Sequence, residues 1–162
     1  MTTPGTHETQ NVDPTDLPIV RIVREFDAPA AKVFRAHLDP ELFARWNGPR
    51  YLTQRNELWD VRTGGAYRYV QVDPDGNEYA FFGSVHEVRP DELIVQTFTF
   101  EGFPDGVSLD RLVFEDLPDG RSRLTATSLV DSFEGRDGFV ASGMEVGVRE
   151  GYEQLDELLA QS

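Results

Sequence analysis

The chain has 162 residues with 29 acidic and 15 basic side chains, a formal charge of −14. It is long enough for one domain with a real core, and its charge repels phosphate backbones and anionic lipid surfaces, so no nucleic acid is expected as a partner. It contains no cysteine, which excludes disulfides and thiolate chemistry and fits a reducing cytoplasm; no apolar run approaches the ~20 residues that would cross a bilayer, so no membrane insertion is expected.

Residues 1–17, "MTTPGTHETQNVDPTDL", lack a basic start followed by an apolar run, so they read as a disordered tail rather than a secretory signal. Residues 18–162 are then one domain. "IVRIVREF" (19–26) mixes β-branched residues with charges and precedes Asp27-Ala28-Pro29, the pattern of a strand leading into a helix start. A first short helix runs to about Leu38, with Val33, Phe34 and Leu38 on one face. Asp39-Pro40-Glu41 starts a second: Asp39 can accept hydrogen bonds from free backbone donors, and Pro40 fits the first turn. Leu42, Phe43 and Trp46 form its apolar face. Asn47 or Gly48 can take the left-handed conformation that ends it, and Pro49 prevents continuation.

From Tyr51 to Val130 the period falls to two. Six strand cores, approximately 52–60, 66–73, 78–88, 92–101, 107–116 and 122–130, are separated by "RTGG", "DPDG", "RPDE", "GFPD" and "LPDG" and read as hairpins. With 19–26 this makes seven strands, largely antiparallel. A long helix is expected from Asp137 or Gly138 to about Ala160, its apolar stripe carrying Phe139, Val140, Met144, Val148, Tyr152 and Leu155. Gly143, Gly147 and Gly151 recur within it at a spacing of four. Each costs about 1 kcal/mol against alanine, which is repaid if a bare helix face lets a sheet come close or leaves volume beside it.

The segments "REFDAPAAKVF", "DPELFARWNGP", "DVRTGG", "DGNEYAFFGSVHEVRP", "IVQTFTFE" and "GMEVGVREGYEQLDELL" occur in this order over nearly all of the chain after residue 18. In that order they resemble the START-like or polyketide-cyclase superfamily, and more narrowly its branch of activators of the heat-shock protein 90 ATPase. The resemblance implies an α+β helix-grip fold: a seven-stranded curved antiparallel sheet around a long C-terminal helix, with two short helices after the first strand. Two positions depart from that pattern. Asn47 stands where relatives commonly have a second aromatic, and Val148 where they often have tryptophan. Both would change the wall of the space between sheet and helix.

A sheet curved around a helix leaves space at one end unless large side chains fill it, and such pockets are typically ~300 to 1,000 Å³. The expected lining is Trp46, Asn47, Tyr67, Tyr69, Phe81, Phe98, Phe100 and Leu112, with Met144 and Val148 on the long helix. A small hydrophobic or aromatic molecule is the partner this implies, without cofactor or metal. A homodimer is allowed, because nothing in the sequence sets the stoichiometry.

Acid–base candidates are few. His86 and Glu87 are neighbours on a strand and point to opposite faces, so they cannot form a dyad. His37 reads as an amphipathic edge residue, and His7 falls in the tail. Asp60 and Arg62 share a face and can bridge before the glycine turn. Asp110 shares its face with Leu112 and Phe114, which look inward. A carboxylate there would have a raised pKa and could act as a base, the plainer alternative being a pocket-mouth or exposed carboxylate. The function expected is therefore shelter of a hydrophobic molecule. A cyclase- or dehydratase-type enzyme on a polyketide-like or aromatic substrate is the alternative, and a chaperone-associated module is third.

Overall fold

A computed structural model describes residues 8–10 and 17–161. Three elements lead the chain: a short strand β1 (Glu8–Gln10), the long strand β2 (Ile19–Phe26) and the helix α1 (Ala30–Leu38). Helix α2 (Pro40–Trp46) follows, then strands β3 (Thr53–Asp60), β4 (Ala66–Val72), β5 (Glu78–Arg89), β6 (Leu93–Phe100), β7 (Ser108–Asp116) and β8 (Ser122–Leu129). Helices α3 (Phe133–Ala141) and α4 (Met144–Ala160) close the chain. One antiparallel sheet in the order β1-β2-β8-β7-β6-β5-β4-β3 results, with the helices against its inner face.

Seven long strands agree with the sequence reading to within a residue or two, since the turns that join β3 to β8 in succession contain Gly or Pro. Strand β1 is additional: Glu8–Gln10 falls inside the expected tail, yet it pairs antiparallel with Arg21–Val23 of β2. The rest of the expected tail up to Asp16 lies outside the described residues. Register shifts between Asn56 and Leu58 and between Val85 and Glu87 place bulges in β3 and β5, the device by which a sheet bends out of plane.

Asp39 caps α2 as expected, its Oδ1 accepting from the backbone N–H of Glu41 at 2.9 Å and of Leu42 at 3.2 Å. Helix α1 has no cap of its own. The Ala30 N–H donates instead to Oδ1 of Asp116 at the far end of β7, 2.9 Å away, so a sheet residue satisfies a helix terminus.

The expected single C-terminal helix is two. Ser132 Oγ accepts from Gly135 N–H at 2.9 Å and starts α3 earlier than residue 137; Gly143, at φ 84°, breaks the run before Met144. A left-handed residue of this kind admits glycine without strain. Gly147 and Gly151 do lie bare on α4, but what comes close is the end of α2, not the sheet. A Cβ on Gly151 would lie 3.1 Å from the nitrogen of Gly48 and 3.2 Å from the carbonyl oxygen of Trp46. Gln154 secures the same junction, its amide donating to Gly48 O at 2.9 Å and Trp46 O at 3.3 Å. Gly48, at φ 90°, is the left-handed residue that ends α2.

A closely packed core lies where β2 and β8 meet α1 and the C-terminal half of α4. Val20, Phe26, Val33, Leu124 and Leu155 are almost wholly buried there. Arg24 points into this core from β2, and its guanidinium donates to both carboxylate oxygens of Asp156 on α4, at 3.1 and 2.6 Å. It also lies 4.9 Å from the centre of the Phe26 ring, so a buried cation is paired on one side and stacked on another.

Candidate functional site

The opposite half of the interior is not filled. Between the N-terminal half of α4, α2 and the inner faces of β4 to β8 lies a cavity of about 300 Å³. Alternation on the strands decides which side chains reach it. Tyr67, Tyr69 and Gln71 come from β4; Phe81 from β5; Ile94, Gln96 and Phe98 from β6; Asp110 and Leu112 from β7; Ala126 and Ser128 from β8. Helix α2 and its end add Phe43, Trp46, Asn47 and Gly48, and α4 adds Met144, Gly147, Val148, Gly151 and Tyr152.

Nine of the ten cavity residues expected from sequence are thus in the lining, and so is Asp110. Phe100 is not. It continues the aromatic row, its ring 5.2 Å from that of Phe81, but at the last position of β6 it has passed the end of the cavity and is 37% exposed. Alternation puts it on the same strand face as Phe98, which does line the cavity.

Cross-strand register arranges the floor in rows. Ile94, Leu112, Ala126 and Ile22 are aligned on four adjacent strands and form an apolar row. One step along, Gln96, Asp110 and Ser128 are aligned on three strands and form a polar row. Ser108 Oγ donates to Asp110 Oδ1 at 2.9 Å, and Ser128 also hydrogen-bonds the carboxylate. Burial nevertheless dominates: it pushes the Asp110 carboxyl up to about 6, against the pull of the two serines.

Aromatic rings form the opposite wall. Tyr67, Tyr69, Phe81 and Phe98 stack in sequence at centroid separations of 6.1, 5.2 and 5.4 Å. Tyr67 donates its hydroxyl proton to Thr97 O at 2.6 Å across the backbone of Gly83. A Cβ on Gly83 would lie 2.6 Å from that hydroxyl oxygen, so glycine is required for the reach. Desolvation raises the pKa of both tyrosines, and both are neutral hydroxyls at neutral pH.

Trp46 is both a core and a cavity residue. It is 5% exposed, donates its indole N–H to Ala36 O at 2.9 Å and stacks on Tyr152 at 6.0 Å. Asn47, beside it, donates to Gln54 Oε1 at 2.9 Å, and that oxygen also accepts from Gln71 at 3.2 Å. Tyr69 hydrogen-bonds the same Asn47 side chain. The Asn47 amide therefore joins a second polar patch, on the α2–β4 side.

His37 corrects the sequence reading. It is buried, not an edge residue, and its Nδ1 bonds the Val33 carbonyl at 2.8 Å within α1. Desolvation lowers its pKa to about 4, with the Val33 bond opposing, so the ring is neutral and contributes a face to the cavity beside Trp46. The signal was present in the helical spacing of Val33 and His37, four apart on one face. Gln71 and Gln96 follow from alternation, two residues from Tyr69 and Phe98 on the same strand faces, so the sequence carried a signal for both; Ser128 stands beside Asp110 only through strand pairing. His86 is exposed, and Arg62 bonds Asp60 at 2.9 Å before the turn, away from the cavity.

A curved antiparallel sheet gripping a C-terminal helix, with a cavity between them, defines a START-like helix-grip domain. Residues 27–160 match the family model described as activator of Hsp90 ATPase homolog 1-like protein, and the chain belongs to that family. Among solved structures, protein Ms6760 from Mycobacterium smegmatis is 26% identical, covers 96% of this chain and 97% of its own, and superposes with a TM-score of 0.83. A protein from Arthrobacter aurescens is also 26% identical, with 99% and 94% of the two chains covered and a TM-score of 0.85. One from Rhodobacter sphaeroides reaches a TM-score of 0.87 at 22% identity, over 97% and 100% of the two chains. No curated protein matches the sequence. Among the described residues no helix is long and apolar enough to cross a membrane.

Proposed function

We propose that this protein binds a small hydrophobic or aromatic molecule in the cavity between the sheet and the N-terminal half of α4. The observation that carries the reading is the asymmetry of the lining. A continuous wall of aromatic rings supplies apolar contact, and two separate polar patches, Gln96-Asp110-Ser128 and Asn47-Gln71-Tyr69, supply orientation. Small-molecule sites commonly combine many apolar contacts with few placed polar groups in this way. A volume of about 300 Å³ suits a ligand of one to three rings. Native mass spectrometry of the purified protein after incubation with a lipid and aromatic-metabolite extract is expected to give a stoichiometric adduct and a raised melting temperature. Consistently empty protein with no thermal shift would overturn the reading.

A second reading is supported by Asp110 alone. A carboxyl whose pKa is about 6 is suited to accept or return a proton near neutral pH, as a cyclase- or dehydratase-type enzyme requires. Should a converted compound be found, unchanged turnover by Asp110→Asn and Tyr69→Phe would remove both residues from that role.

A further inference from the structure

We propose that the cavity selects hydrophobic ligands that carry a basic nitrogen, with the ligand's ammonium group seated on Asp110. This deepens the binding function proposed above and rests on it. Asp110 is a partly buried carboxylate facing a largely apolar enclosure, and among the described residues lining the cavity there is no lysine or arginine. The inward-pointing cation of β2, Arg24, is already held by both oxygens of Asp156. Among the described residues, the hydroxyls of Ser108 and Ser128 hydrogen-bond the Asp110 carboxylate. An ionised carboxylate withdrawn from water is costly unless a charge of opposite sign meets it.

A ligand cation would supply that charge. A chain with a formal charge of −14 further concentrates cations and disfavours carboxylate ligands.

Titratable groups around Asp110 come from three packed elements, Tyr67 and Tyr69 on β4, Tyr152 on α4 and His37 on α1. The tyrosines stay protonated because burial raises their pKa values, that of Tyr152 to about 12, and His37 stays neutral down to about 4. Between pH 5 and 7.5, therefore, Asp110 is the cavity group whose charge changes.

The test compares matched probes by isothermal titration calorimetry: 2-naphthylmethylamine, 2-methylnaphthalene and 2-naphthoic acid, with octylamine and octanoic acid as a second, linear pair. At pH 7.5 the amines are expected to bind at least about tenfold more tightly than the hydrocarbon, and the acids most weakly. At pH 5 the amine preference should shrink towards unity, and Asp110→Asn should remove it at both pH values. Should Asp110→Asn fail to fold, the pH comparison in the unmodified protein decides the matter. Equal affinity for amine and hydrocarbon would overturn the amine preference while leaving hydrophobic binding intact; no binding of any probe would overturn both.

Discussion

Two halves of one interior treat buried charge and volume in opposite ways. Where β2 and β8 meet the C-terminal half of α4, Leu155 is fully buried and Arg24 is neutralised by Asp156. Where β4 to β8 face the N-terminal half of α4, a cavity remains, and among the described residues Asp110 has hydroxyls but no lysine or arginine in the lining. Both halves use the same sheet and the same helix. Gly48 and Gly151 let α4 dock on the end of α2, and Gly143 separates α4 from α3, whose Phe139 reaches the cavity lining. A filled half stabilises the fold, and that leaves the other half free to stay open.

The largest test of this contrast is truncation in each half. Leu155→Ala is expected to cost about 2 to 5 kcal/mol in urea unfolding, since it removes a fully enclosed side chain. Val148→Ala, at the cavity wall, should cost under about 1 kcal/mol because it enlarges a space that already exists. Equal costs would break the distinction between the halves.

A second test uses pH. His37, lowered from 6.5 to about 4 on folding, contributes stability that is present above pH 6.5 and is lost as pH falls towards 4. Asp110, raised from 3.8 to about 6, acts in the other direction: it costs stability when ionised, and that cost is relieved as pH falls from 6 towards 3.8. Each amounts to about 3 kcal/mol across its window, so the two nearly cancel. Thermal unfolding from pH 4 to 7 is expected to show Asp110→Asn losing stability in acid more steeply than the unmodified protein, and His37→Phe gaining it. Parallel profiles for all three would show that neither group is desolvated as described.

Breaking the paired charge in the filled half comes next. Asp156→Ala should cost about 1 to 3 kcal/mol by chemical denaturation, because it strands a buried guanidinium while Asp156 itself is half exposed. Asp110→Asn at pH 7 should by contrast stabilise the protein, being the removal of an unpaired charge.

The smallest effect separates the two helix glycines. Gly151→Ala places a Cβ within 3.2 Å of backbone atoms of α2 and its end, and is expected to cost about 1 kcal/mol net despite better helix propensity. Gly147→Ala meets only Pro49 Cδ at 3.4 Å, and should be neutral or stabilise by up to about 1 kcal/mol. Measuring the two by the same unfolding assay shows whether close docking, and not glycine content, holds α4 in place.

Much of this architecture is local chemistry that a sequence carries openly. Asp39 and Pro40 start α2, Gly48 and Pro49 stop it, and the turns at Asp73-Gly76 and Pro118-Gly120 bound strands whose alternation alone directs Tyr67, Tyr69, Phe98 and Asp110 inward. These features depend on residues within a few positions of one another. What needed the tertiary structure involves partners far apart in the chain. Asp116 satisfies α1 from β7, and Gln96 and Ser128 flank Asp110 only through strand register. His37 is buried because Trp46 and Phe114 close over it, and Phe100, at the last position of β6, falls outside the cavity lining. The three glycines spaced by four show the boundary well. Sequence alone marks them as bare positions on a helix, but whether such a position breaks the helix, touches a neighbouring backbone or faces empty space depends on what packs there. Only the folded chain decides that.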